Sequence, residues 1–270
     1  MRDYFTLRAP IHSMTLRKPA PARSKKAEEE AQEFVADAWE ARTHNQRTAL
    51  ARKALTLNPL AADAYVILAS DAEPGSHEQL ELYRLAYHLA DAAIQHCRED
   101  DDCDANSWGS LDARPYHRAR YGLALTLHRR SDYTAISHFR DLLCLDPRDS
   151  QGVRYSLAVC FLETNRDRDL AALLKKYKDD CSSAWAYTTA LASFRKCGET
   201  SRSRELLAAA TNTNQHVVAY LLGKRGIPAS LPPFFSIGSE DEAQWYAADN
   251  KHIWHVTPGA KRWLQRNSKI

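Results

Sequence analysis

Two arginines of this chain stand at matching places in a repeated pentapeptide. Arg120-Tyr121-Gly122-Leu123-Ala124 recurs 34 residues later as Arg154-Tyr155-Ser156-Leu157-Ala158. A guanidinium presents a planar fork of donors that fits a carboxylate through two parallel hydrogen bonds. Two such forks side by side would grip an acidic segment or a C-terminal carboxylate. About one helical turn earlier, His117 and Gln151 form a second matched pair, and Trp185 continues their series. Arg195 follows Phe161 by one period. His117, Arg120, Gln151, Arg154, Trp185 and Arg195 are therefore the candidate partner-binding residues. The competing reading is that these arginines pair with acids of adjacent helices or keep the surface soluble.

Two other clusters invite a metal reading. His252 and His255 lie three apart with Asp249 nearby, but no third ligand or catalytic carboxylate is evident and H-E-x-x-H is absent. His96, Cys97, Asp100, Asp102 and Cys103 surround the run Arg98-Glu99-Asp100-Asp101-Asp102-Cys103-Asp104. That run has no calcium-loop glycine and no second cysteine pair, so a solvated acidic loop is expected. The chain carries no glycine-rich phosphate loop and no G-x-S-x-G elbow. The expectation is no catalytic residue, no metal and no cofactor.

The elements that must position the arginines follow from the period. Leu191-Ala192 extends the repeat by one further step, and Pro147, Cys181 and Gln215 close helical stretches at the same interval. A 34-residue period with helical patterning marks a tetratricopeptide (TPR) array, in which each repeat is a pair of helices. Tyr121, Leu125 and His128, then Ala135, Phe139, Leu142 and Leu143, fall at helical spacing on either side of Arg130-Ser131-Asp132-Tyr133. Leu145-Asp146-Pro147 ends the second helix of its repeat, as Leu57-Asn58-Pro59 does earlier, since proline disfavours helix in the residue before it. The two prolines are 88 residues apart, two periods plus 20, so an insertion lies between them.

The predicted fold is all-α: a right-handed α-α superhelix, a TPR-like solenoid with a helical C-terminal cap. Residues 1–26 are expected to be a basic arm, interrupted by Pro10, Pro19 and Pro21, with Met14 as an alternative start. Residues 27–222 are the repeat array, with the insertion around 76–113. Residues 223–270 hold a proline-containing strap and the capping helices. Within that last section Ser239 precedes Glu242 by three, a capping box. First helices of stacked repeats line the concave side, which is where the six candidate residues are expected.

The run Arg114-Pro115-Tyr116-His117-Arg118-Ala119-Arg120-Tyr121-Gly122-Leu123-Ala124 resembles a segment common in bacterial TPR proteins. Asn214-Gln215-His216-Val217, Tyr220-Leu221-Leu222, Ser239-Glu240-Asp241-Glu242-Ala243 and Thr257-Pro258-Gly259-Ala260 resemble the C-terminal part of the suppressor-of-tumorigenicity 7 family, over roughly residues 27 to 266. The resemblance implies an interaction scaffold and not an enzyme. The chain departs from it at Gln215, where the family pattern places proline, and in lacking the transmembrane segment that some members carry.

Composition agrees with a helical build. Nine glycines and eleven prolines in 270 residues are few, and no apolar run approaches a membrane span. The N-terminus has no continuous apolar core of the secretory kind. Six scattered cysteines without a C-x-x-C pair fit free thiols in a reducing, cytoplasmic setting. Residues 1–26 hold seven basic residues and one acidic, a net +6, which leaves −3 for the remainder of a chain whose total is +3. The expected function is a non-enzymatic protein–protein interaction scaffold or adaptor, binding a protein or peptide partner whose segment is acidic or carboxylate-bearing. A nucleic-acid role for the arm is the second reading, although the arm lacks aromatic interleaving for base stacking. A metal-dependent enzyme is the third. The oligomeric state is left open.

Overall fold

The computed structural model describes residues 24–99 and 108–268, and for residues 95–99 the backbone alone. Among the described residues there are thirteen α-helices and no strand. They are α1 (Lys25–Glu40), α2 (His44–Leu57), α3 (Ala62–Asp71), α4 (His77–Glu99), α5 (Arg114–Arg129), α6 (Ala135–Leu145) and α7 (Val153–Glu163). The series continues with α8 (Asp167–Lys176), α9 (Ser183–Cys197), α10 (Ser201–Thr213), α11 (His216–Leu221), α12 (Glu240–Val256) and α13 (Ala260–Asn267). Most of the arm, the acidic loop beyond Glu99, and the side chains of His96 and Cys97 lie outside the described residues. The chain divides into two compact units: residues 24–99 with 109–126, and residue 108 with 127–268.

In the first unit, α1 packs on α2, α2 on α3, and α3 on α4. The α1–α3 core is built largely from small residues: Ala31, Val35, Ala38, Ala51, Ala54, Ala64 and Ile67. Alanine lets helix axes approach closely without losing rotamer entropy. Ser24 and Thr43 cap α1 and α2 through their hydroxyls. Gly122 is the other small residue with a job: a Cβ there would fall inside the Tyr83 ring of α4. Two Arg–Asp pairs hold the unit together. Arg47 donates to Asp71, and Arg118 donates from Nε to Asp63 Oδ1 at 2.9 Å, both carboxylates being nearly buried.

In the second unit, neighbouring helices pack in order from α6 to α10, and α7 also meets α9. The period is written into the backbone. Ser131 and Asn165, 34 apart, both take left-handed φ (58° and 55°). After each, the next N–H bonds back to the ended helix, Asp132 to Leu127 and Arg166 to Phe161. This is the Schellman-type closure that satisfies the last carbonyls of a helix. α9 ends differently, on Gly198 (φ 69°), whose own N–H bonds to Phe194 O at 2.7 Å. The buried core comprises Phe139, Leu142, Leu157, Leu162, Leu170, Leu191 and Leu207 from α6 to α10.

The C-terminal helices complete this unit. α12 packs on α7, α9 and α11, while α13 packs on α10 and α12. Trp254 of α12 and Trp263 of α13 are fully buried and stack at 6.1 Å, and Phe194 of α9 stacks on Trp263 at 4.4 Å. Tyr187 of α9 lies 5.6 Å from Tyr246 and 6.4 Å from Trp254. Ser239 caps α12 by accepting from Glu242 N, but the reciprocal half of the expected capping box is not made: Ser239 N donates to Ser236 O, and the Glu242 carboxylate is taken by other donors. The Glu242 carboxylate is buried and accepts from Ser183 N (2.8 Å), Gly238 N (2.7 Å) and Asn214 Nδ2 (3.1 Å). It thus ties α12 to the start of α9 and the end of α10.

Candidate partner-binding site

Arg154 is built in by the turn that precedes it. Asp149 takes left-handed φ (57°) and so does Gly152 (73°), turning the chain sharply after Pro147. The Asp149 carboxylate then caps α7, accepting from Val153 N at 2.6 Å and Arg154 N at 3.0 Å. Negative charge at a helix start is favourable. Arg154 closes the arrangement: Nη1 donates to Asp149 Oδ2 (2.8 Å) and Nε donates to Asp180 Oδ2 (2.7 Å). Nη2 donates to the Tyr155 hydroxyl (2.8 Å), which donates in turn to Asp180 Oδ2 (2.8 Å). Ser182 N donates to the other Asp180 oxygen at 2.9 Å.

Three aromatic rings surround this guanidinium, with centroids at 4.4 Å (Tyr155), 5.4 Å (Tyr177) and 6.0 Å (Trp185). Such rings attract a cation through their faces. The Arg154 side chain is 18 % exposed, Asp149's 0 % and Asp180's 6 %. Burial alone would lower the Arg154 pKa, but the hydrogen bonds with Asp180 and Asp149 outweigh it and raise it. Burial likewise pushes Asp180 up, and its bonds with Ser182, Tyr155 and Arg154 bring it below the usual carboxylate range. Chemically this is an ion-pair hub joining the loop before α7 to the loop before α9. Both forks of Arg154 are spent inside the protein, and an incoming carboxylate would meet two resident ones.

The structure brings Trp185 to Arg154 and sends Arg195 elsewhere. Arg195 donates to Leu162 O (2.9 Å) and Asn165 Oδ1 (2.6 Å) and pairs with Asp167 at 3.2 Å. It satisfies a terminal carbonyl of α7 and clasps the α7–α8 turn. Gln151 lies half-buried in the turn before α7. In the other unit, His117 and Arg120 are buried on α5, where Arg120 donates to the Tyr116 hydroxyl and lies 5.6 Å from the rings of Tyr87 and Tyr116. Repeat arithmetic places the first helices on the open side. In the second unit α12 instead lies against α7 and α9.

His252 and His255 do not converge. His252 Nε2 lies 2.7 Å from Glu163 Oε1, and His255 Nε2 lies 2.7 Å from Leu221 O. Glu163 also meets His128 Nε2 at 2.6 Å and accepts from the Tyr133 hydroxyl at 3.3 Å. Burial pushes Glu163 up, but the two histidines outweigh it and hold its pKa down. Among the described residues no three His, Cys, Asp or Glu side chains are grouped to hold a metal. No described helix is long and apolar enough to cross a membrane.

Sequence reasoning missed Asp149, Asp180 and Glu163 as the partners that decide the arginine and histidine geometry. The signal available was weak: an Asp five residues before Arg154 and a second 26 residues after it, in loops whose proximity depends on stacking.

The molecule is thus a protein of helical hairpins repeated at a 34-residue interval. The family described as ST7 protein matches residues 23–265, and the chain belongs to that family. The "Protein ST7 homolog" of Caenorhabditis elegans is 26 % identical over 272 residues, covering 86 % of this chain and 49 % of that protein. The chain therefore spans about half the length of the curated relative it matches. Among solved structures, YrrB, titled a TPR protein with an unusual peptide-binding site, aligns with TM-score 0.45 at 16 % identity, covering 69 % of this chain and 90 % of that one.

Proposed function

We propose that this chain is a non-enzymatic interaction scaffold that binds a protein or peptide segment on its stacked helical hairpins. The observation that carries the reading is the hairpin array itself, repeated at 34 residues and closed at Ser131 and Asn165 by the same turn. Stacked repeats present a long, rigid surface whose side chains vary without disturbing the framework. The polar networks between the helices are framework of this kind: Arg154 with Asp149 and Asp180, Arg195 with Leu162 O, and Glu163 with His128 and His252. The two arginines link one helical pair to the next and Glu163 ties α12 to α7, and none of these networks gathers a nucleophile, a base and an oxyanion donor around free space.

On this reading Arg154 and Arg195 set the angle between hairpins, and the partner meets residues exposed beside them. An acidic or carboxylate-bearing segment would be drawn by exposed cations and not by the guanidinium of Arg154. The test is capture from the native cell with chemical crosslinking and mass spectrometry, using the whole chain. Support is a specific protein crosslinked to hairpin residues of α6 to α10. Capture restricted to residues 1–26, or binding that is lost with salt and with nuclease, would move the function to nucleic acid and overturn the scaffold.

A further inference from the structure

A groove of about 530 Å³ runs between α1 and α2. Asp37 and Glu40 line it from α1, and Ala41, Ala49 and the half-buried Leu50 give it an apolar surface. Lys53 also lines it, but pairs with neither acid and lies over the Phe34 ring at 5.6 Å. The two acids continue a stripe. Glu30, Glu33, Asp37 and Glu40 fall at i, i+3, i+7 and i+10 on the face of α1 opposite the buried Ala31, Val35 and Ala38. All four are exposed, and none forms an ion pair among the described residues. Carboxylates four apart, as Glu33 and Asp37 are, repel each other along a helix. With six acidic and two basic residues, α1 carries a net −4. Residues 1–23 carry Arg2, Arg8, Arg17, Lys18 and Arg23 against Asp3, a net +4.

We propose that this groove is the docking site of the chain's own arm, in which residues 16–23 double back along α1 and set Arg17 and Lys18 against Asp37 and Glu40. Charge and reach together select this occupant. Asp37 and Glu40 stand 13 and 16 residues beyond Ser24, the cap of α1, which is about 20 and 24 Å along a helix. Lys18 and Arg17 stand six and seven residues before it. Pro19 and Pro21 favour extended backbone, which at about 3.1 Å per residue carries these two cations about 19 and 22 Å. The paired cations thus arrive at the paired acids, and Leu16, next in line, meets the apolar surface at Leu50. The tether makes the contact intramolecular, at an effective concentration in the millimolar range, so exposed ion pairs of modest strength suffice to hold it. Cations docked in this way are withheld from a phosphate backbone.

Zero-length carbodiimide crosslinking of the 270-residue chain, read by peptide mass spectrometry, tests this, with the Lys25–Glu29 pair at 3.9 Å as the positive control. The expected product joins Lys18 to Asp37 or Glu40 within one chain. A freely moving tail would instead join Lys18 to the acids nearest in the sequence, Glu28, Glu29 and Glu30. Tryptic cleavage after Arg17 should also be at least about threefold faster in Asp37→Asn/Glu40→Gln than in the wild type. Both replaced side chains are exposed, so the variant keeps the wild-type melting curve. Glu73→Gln, at an exposed acid elsewhere in the same unit, leaves the rate unchanged. Lys18 found only on Glu28, Glu29 or Glu30 overturns the proposal, as does equal cleavage of the wild type and the double variant. In a mixture of ¹⁴N and ¹⁵N chains, Lys18 products that join one isotope to the other would give the groove to the arm of a second copy and overturn it as well.

Discussion

Replacing Arg154 with alanine removes the only side chain that neutralises both Asp149 and Asp180 in the network described above. Asp149 is fully buried and Asp180 nearly so, and their charges would be left 2.6–3.0 Å from backbone amides that neutralise them only in part. Breaking a buried pair from one side costs about 3–5 kcal/mol, because the surviving charge stays desolvated. For a chain of this size that corresponds to a fall in Tm of roughly 5–9 °C. Arg154→Lys keeps the charge but loses the fork and the stacking on Tyr155, so its loss should be intermediate. Arg154→Met/Asp180→Asn removes two charges together and should recover part of the loss. The assay is thermal and urea unfolding followed by circular dichroism. A wild-type melting curve for Arg154→Ala would refute the hub. Loss of partner capture with the melting curve intact would restore Arg154 as a receptor.

Three further outcomes follow from the same structure. Gly122→Ala, a change that favours an isolated helix, should here destabilise by about 1–3 kcal/mol, because the new methyl meets the Tyr83 ring; urea titration reads it. Glu242→Ala strips an acceptor from Ser183 N, Gly238 N and Asn214 Nδ2, at a cost of about 2–4 kcal/mol, and should speed proteolysis of the 226–238 loop; cleavage at the wild-type rate would contradict this. Glu163 and Asp180 both have pKa values below their ordinary 4.5 and 3.8. Their contribution is therefore complete above those values and is lost as pH falls through the lower folded values. Stability should hold from pH 7 to about 5 and fall steeply below 4, with a shallower fall in Glu163→Gln.

The helices were legible because period and capping are local. Asn58-Pro59 and Asp146-Pro147 mark the ends of α2 and α6, and Ser239 starts α12, all within a few residues of the observed bounds. The αL turns at Ser131 and Asn165 carry no glycine, yet their 34-residue spacing follows from the repeat. The site was legible only as a set of equivalent positions. Register identifies Arg120 and Arg154 as matched, but pairing depends on acids from loops that become neighbours through stacking. The placement of α12 was illegible for a related reason. Ala243, Tyr246, Ala247 and Trp254 give it an apolar stripe, but a stripe does not name the surface it covers. Its seat against α7 and α9 is selected by Tyr187, by Glu163 with His252, and by Glu242 with Ser183.

On the proposed function the hairpins form a rigid framework before any partner arrives, with Arg154 part of that framework. Hydrogen exchange of the free chain measures it directly at the amides of Val153 and Arg154, both bonded to the Asp149 carboxylate. Protection there should be close to that of the α7 interior at Leu157, with no partner added. Exchange of these two amides at the unprotected rate in the free chain, slowing only on addition of an acidic peptide, would contradict it and return Arg154 to the binding site.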